Sequence, residues 1–267
     1  MTKIHHLVGF EMRCNRRSII GWSIAIFCVM FLYMILFPSV QEIAEVKMNA
    51  MPKALLQFVG MEGFDDMGNF VTYFGMIYKL VLVAVSLFAI TFSAGLIAKS
   101  ERNSTIELIN SLNVSRGEIY WSKVLTAFVS VTLVLMAGIL SAIVCGFING
   151  GKTFDIVEVV QLAKMMGFIP YLFMGIGLML AGISPGLGNG AIASMVVLVS
   201  YLLGYLGLLL GDKAQWLIYL SPFESVAPDK ALAMSQETWV CLGVYAVIMS
   251  VSVVVGLLVY RKRDLKL

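Results

Sequence analysis

Charge is scarce in this chain. Asp, Glu, Lys and Arg supply 13% of its 267 residues, apolar types supply 60%, and the mean hydropathy is +0.91. So little polar surface cannot cover a water-soluble globule of this length, which excludes a soluble domain and leaves an integral membrane protein. Histidine is rarer still: His5 and His6 are the only two, they are adjacent, and without acidic or Cys neighbours they read as surface residues. The four cysteines, Cys14, Cys28, Cys145 and Cys241, share no spacing that suggests a metal site or a disulfide, and they read as small packing residues. The apolar stretches also lack what intramembrane chemistry needs. They hold no paired Asp, no Ser with a His or Lys, no His-rich motif and no carboxylate near a midplane, where buried polarity is costly and so usually functional. A membrane enzyme and an ion-coupled carrier are therefore disfavoured, no catalytic, cofactor, metal or nucleic-acid site is expected, and any energy used should come from another chain.

What remains is long, nearly uncharged text. A hydrocarbon core of about 30 Å takes about 20 apolar residues per helix, and six runs meet that length. They fall at about 19–37, 78–98, 124–148, 165–183, 190–210 and 238–260. Met165 to Gly211 runs 47 residues without a charge, enough for two spans, and Ser184-Pro185-Gly186-Leu187-Gly188-Asn189 is the break between them. The expected fold is all-α: one transmembrane domain over 1–267 with six helices.

Placing both termini in the cytoplasm puts 12 of the 19 basic residues in short inner segments and 11 of the 16 acids in outer ones, as the positive-inside rule favours. Lys3 to Ser18, with Ile4, Leu7, Val8, Phe10 and Met12 among Arg13, Arg16 and Arg17, is no cleavable signal. It reads as an N-terminal interfacial helix or as a basic topogenic flank. Outside, residues 39–58 have the periodicity of an amphipathic helix, and 212–237, rich in aromatics and proline, resembles a partly re-entrant hairpin; both are candidates for an outer gate or for simple interfacial anchors. Lys79 and Lys164 read as snorkelling side chains near the outer ends of spans. Gly204, Gly207 and Gly211, with Gly186 and Gly190 before them, give the small-residue spacing of close helix approach, within the chain or against a second one.

Two motif matches are refused. Gly146-Phe147-Ile148-Asn149-Gly150-Gly151-Lys152-Thr153 fits the P-loop pattern letter for letter. That pattern needs a strand before the loop and a helix N-terminus after it, whereas this text begins inside an apolar helix and leaves on the outer face. Asn103-Ser104-Thr105 and Asn113-Val114-Ser115 fit the N-glycosylation pattern but lie on the inner side, where they read as helix caps.

The most informative text is the polar island Lys99 to Lys123, KSERNSTIELINSLNVSRGEIYWSK. Ser104-Thr105-Ile106-Glu107 and Ser115-Arg116-Gly117-Glu118 read as capping boxes, in which hydroxyl and carboxylate satisfy each other's orphan backbone N–H groups. Ile106, Ile109 and Leu112 share one face of the short helix between them. Across Ala98 to Lys123 the residues Glu101, Thr105, Glu107, Leu108, Leu112, Ser115-Arg116, Ile119 and Lys123 resemble the cytoplasmic segment of ABC-2 type transporter permeases. Ser104 stands where glycine is usual and Asn113 where proline is usual. Met51-Pro52-Lys53-Ala54-Leu55-Leu56-Gln57-Phe58-Val59-Gly60, Leu220-Ser221-Pro222-Phe223 and Glu11-Met12-Arg13 are similar to other parts of the same family.

That resemblance implies a six-span permease subunit of a bacterial ABC exporter in the cell membrane, not itself an enzyme. Its expected partners are membrane lipids, two ATP-binding cassette ATPase subunits, which bind ATP and magnesium in place of this chain, and a second permease chain, identical or related. The 104–113 helix becomes a coupling helix, and Glu101, Arg102, Thr105, Glu107, Leu112, Arg116 and Lys123 are the expected ATPase-coupling residues. Apolar, Met-rich spans point to an apolar or amphipathic solute such as a drug, peptide antibiotic or lipid-like compound. Efflux of an ion or another small solute, or a sensing or immunity complex, are the alternatives.

Overall fold

The computed structural model describes residues 2–47, 68–102, 115–184, 190–211 and 214–262. Among them there is helix and no strand. In chain order the helices are α1 (Thr2–Ile35), α2 (Phe37–Lys47), α3 (Phe70–Arg102), α4 (Arg116–Asn149), α5 (Ile156–Met166), α6 (Ile169–Ile183), α7 (Gly190–Leu210), α8 (Trp216–Leu220), α9 (Pro222–Ser225), α10 (Pro228–Leu232) and α11 (Gln236–Lys262). Six stretches are long and apolar enough to cross a bilayer: Ile4–Glu42, Phe70–Ala98, Arg116–Asn149, Ile156–Ile183, Gly190–Leu210 and Gln236–Lys262. Each contains or closely matches one of the six expected spans.

Two boundaries differ from the sequence reading. The basic flank 3–18 is no separate interfacial helix: α1 runs without a break from Thr2 through the first apolar run. Nothing in its sequence stops it, since no Pro occurs before Pro38 and glycine at Gly9 and Gly21 costs only about 1 kcal/mol each. The fourth span starts earlier than residue 165, because α5 precedes it. α5 is capped by Asp155, whose side chain accepts from Val157 N at 2.7 Å, and it ends at Gly167, just before Pro170 opens α6. Proline at a helix's first turn fits there and nowhere further in, so the span is two helices with a joint.

α1 and α4 run parallel in a fixed register. Ser141 Oγ donates to Phe27 O at 3.0 Å, the Cys145 thiol lies 3.8 Å from Phe31 O, and Asn149 Nδ2 donates to Ile35 O at 3.3 Å, each step one helical turn on. At the centre stand α3 and α6, both deeply buried. A Cβ on Gly177 would collide with Ser93 Oγ and the Ile90 carbonyl of α3, while one on Gly182 would meet the Gly256 backbone of α11 at 2.9 Å. Bare glycine faces let α6 pack backbone to backbone on both neighbours, as membrane helices do in the absence of a hydrophobic driving force between them. The outward faces of α1, α4, α7 and α11 expose Leu32, Met136, Met195 and Val247, which suits a hydrocarbon solvent.

Candidate functional site

The polar island leaves α3 at Arg102 and returns into α4 at Arg116, so both of its ends sit at one end of the bundle. Here α4 starts on the expected capping box. Ser115 Oγ accepts from Glu118 N at 3.3 Å, and Glu118 Oε2 accepts from Ser115 N at 2.7 Å. Glu118 in the first turn also complements the positive end of the helix dipole.

The first two turns of α4 are bolted to three other helices. Lys123 is 1% exposed; its ammonium pairs with Glu11 of α1 at 2.9 Å and donates to the Leu96 carbonyl of α3. Tyr120 donates to Val253 O of α11 at 3.0 Å and packs against Tyr260, with ring centroids 5.7 Å apart. Gly117 leaves space for Arg261, whose guanidinium Nη2 would stand 3.3 Å from a Cβ placed there. The start of α4 is thereby tied to α1, α3 and α11 together.

Of the seven expected coupling residues, Lys123 is the one this cluster contains. Buried in this way, it is an internal strut that ties α4 to α1 and α3. Arg116 is exposed at the first position of α4 and has an interaction of its own. Glu101 and Arg102 close α3. Thr105, Glu107 and Leu112, and with them the first capping box, lie outside the described residues. Glu11 was not among the expected site residues. The available signal was a lone acid, Glu11, in a segment whose other charges, Lys3, Arg13, Arg16 and Arg17, are basic.

At the opposite end residues 214–235, in the segment expected to be partly re-entrant, dip into the bundle as three short helices, α8 to α10. Its deepest element is α9. Phe223 stacks on Phe173 of α6 and meets Tyr201 of α7 edge-on, at centroid distances of 5.6 and 5.7 Å. Ser225 Oγ lies 2.6 Å from the Tyr245 hydroxyl of α11, which itself donates to Tyr219 O at 3.0 Å. Glu224 pairs with Lys79 of α3 at 2.6 Å. Lys79 thus does not snorkel as expected: it turns inward to a carboxylate of the segment expected to form a partly re-entrant hairpin. Lys164, by contrast, is exposed in the last turn of α5.

The glycine pattern of α7 is resolved by the same segment. A Cβ on Gly204 would fall on the Ser221 side chain and within 2.7 Å of Glu224 Cγ, and one on Gly207 would stand 2.9 Å from Ile218 Cγ1. Both glycines pack within the chain. Beside α9 a cleft of about 460 Å³ opens between Tyr219 and the α11 residues Glu237, Cys241, Val244 and Tyr245. The P-loop-like text lies elsewhere: Gly146 is inside α4 with the Phe154 ring over it, and Thr153 Oγ1 accepts from Phe70 N at 3.3 Å.

Residues 4–261 match the family described as multidrug efflux system permease Rv1217c, C-terminal domain. The chain belongs to that family. It is an ABC-2 type permease, a multi-pass transport subunit, and the likeness seen at 98–123 extends over nearly its whole length. No curated protein matches it. In this permease the two polar clusters occupy opposite ends of the spans, one at the root of the island and the other around the inserted α9.

Proposed function

We propose that this permease is the membrane subunit of an ATP-driven exporter in the bacterial plasma membrane, with the island on the cytoplasmic side. Two separate ATP-binding cassette ATPases would dock on the island, and a second permease chain, identical or related, would complete the pathway. ATP and magnesium would belong to the ATPases. The solute would be apolar or amphipathic, a drug, peptide antibiotic or lipid-like compound.

One observation carries this reading: the root of α4, directly after the island, is fixed to α1 through Lys123 and Glu11, to α3 through Leu96, and to α11 through Tyr120. A push on the island from closing ATPases would tilt four helices as one body, which is what a nucleotide-driven permease requires. Glu101, Arg102, Thr105, Glu107, Leu112 and Arg116 would receive the push, and Lys123 would transmit it. The basic residues at this end support its cytoplasmic placement, and the apolar cleft beside Tyr219 and Val244 suits an apolar or amphipathic solute better than a strongly hydrated one.

The test is Glu107→Lys in the chain co-expressed with its ATPase, followed by ATPase co-purification and by efflux of ethidium and Nile red from cells. Loss of both is the expected result. Full co-purification together with wild-type efflux would remove Glu107 from the interface, and wild-type cells that expel neither dye would count against the solute class.

A further inference from the structure

Lys79 and Glu224 are 8% and 6% exposed, far apart in sequence, and joined in the apolar part of the bundle. Their depth follows from the helices around them. Lys79 lies nine residues after the start of α3, Tyr245 nine after the start of α11, and Gly204 six before the end of α7. At 1.5 Å per residue these positions are about 14, 14 and 9 Å in from the helix ends. α9 meets all three, so it hangs about two helical turns down inside the bundle.

Holding such an element in place does not require an ion pair. Removing two charges from water costs several kcal/mol each, and apolar side chains of similar volume usually hold as well or better. What a charge pair does that an apolar contact cannot is separate into water without penalty: Lys and Glu that part into a hydrated passage regain full solvation, whereas parted methionines or leucines would not. A second observation points the same way. The Ser221 hydroxyl, one residue before α9 and against Gly204, is fully buried and makes no hydrogen bond among the described residues. A polar atom left so is unfavourable in this state and recovers its hydrogen bonds on meeting water. α9 is also set off from its neighbours in the chain. It is four residues long, opened by Pro222 and followed by a break before Pro228, and Tyr245 separates it from the cleft at Tyr219.

We propose that Lys79 and Glu224 are the closing contact of the solute pathway at this end of the permease, paired in the state described here and parted, each hydrated, when α9 withdraws from α3 and α7 to let solute through. This rests on the transport reading above. Lys79 and Glu224 are positioning residues: they touch one another and set where α9 stands, and Ser221 reports whether water reaches it.

The experiment uses the permease with its ATPase, in cells and in nanodiscs. Lys79→Met/Glu224→Met removes both charges while keeping volume, and Lys79→Glu/Glu224→Lys exchanges them. The apolar pair should reach wild-type thermal stability yet lower ethidium efflux by at least about tenfold, and the exchanged pair should restore most of it. In nanodiscs, Ser221→Cys is treated with a quaternary-ammonium methanethiosulfonate and modification at position 221 is read by peptide mass. ATP turnover should speed that modification when the charge pair is present and leave it at the resting rate when both residues are methionine. Wild-type efflux by the apolar pair overturns the proposal, as does a modification rate indifferent to ATP and to the pair. Cells that expel no ethidium even with the unaltered chain speak against the solute class alone, and the modification rates then decide the role of the pair.

Discussion

Lys123 and Glu11 form a 2.9 Å ion pair that fastens the helix leaving the island to the first helix of the chain. The two partners are unequally enclosed, the lysine side chain 1% exposed and the glutamate 16%. Removing them one at a time should therefore have unequal effects. Glu11→Ala strands a buried ammonium with the Leu96 carbonyl as its remaining acceptor, a cost of about 3–5 kcal/mol. Lys123→Met leaves a carboxylate that water can reach, and should cost clearly less. The double variant should resemble Lys123→Met. Thermal unfolding of the detergent-solubilised protein measures all three, and an Glu11→Ala protein as stable as wild type would dismiss the strut.

The capping box at Ser115 makes a smaller and local prediction. Ser115→Ala removes the acceptor for Glu118 N and one of the groups holding the Glu118 carboxylate. A lost N-cap costs about 1 kcal/mol, spent where the helix begins. Backbone amides in the first turn of α4 should exchange faster with deuterium, and those beyond Lys123 should be unchanged. Faster exchange along the entire helix would mean that the cap holds more than the terminus.

Much of the architecture was legible because membrane spans are written in composition. A run of about 20 uncharged residues leaves few alternatives in hydrocarbon, so six helices could be counted and the break after Ser184 placed. Helix ends were less legible, because α1 and α5 extend past the apolar text through residues that tolerate either solvent. The polar clusters were least legible. Lys79 was read by itself, and a lysine near a span end has an ordinary explanation in snorkelling. Its partner Glu224 stood 145 residues away, in a segment read as a partly re-entrant hairpin. Only packing brings such residues together, as it does Glu11 with Lys123. The glycines of α7 were visible as a stripe, yet spacing alone cannot name the surface that fills it.

Orientation can be read from a native residue. Cys14 is exposed on α1, five residues before the first apolar run and at the same end of the bundle as the island. With 12 of 19 basic residues assigned to that side, a membrane-impermeant maleimide should leave Cys14 unmodified in intact cells and modify it in inside-out vesicles. Modification in intact cells would invert the proposed topology and place the island away from ATP.

Gly204 separates internal packing from association between chains. A glycine inside an exposed helix face gains up to about 1 kcal/mol on becoming alanine, since helix propensity improves and nothing is displaced. Gly243 of α11 is such a position, with no atom within 4 Å of an added Cβ. Gly204 is the opposite case: its methyl would land on Ser221 and Glu224, and overpacking typically costs about 1–3 kcal/mol, more than the propensity returns. Gly204→Ala should therefore lower the unfolding temperature and dye efflux together, while Gly243→Ala leaves both near or slightly above wild type. Because the clash lies within the chain, the number of permease chains per complex, measured by native mass spectrometry, should not change in either variant. A Gly204→Ala protein of undiminished stability whose complexes lose a permease chain would move this surface from the inside of the molecule to its partner.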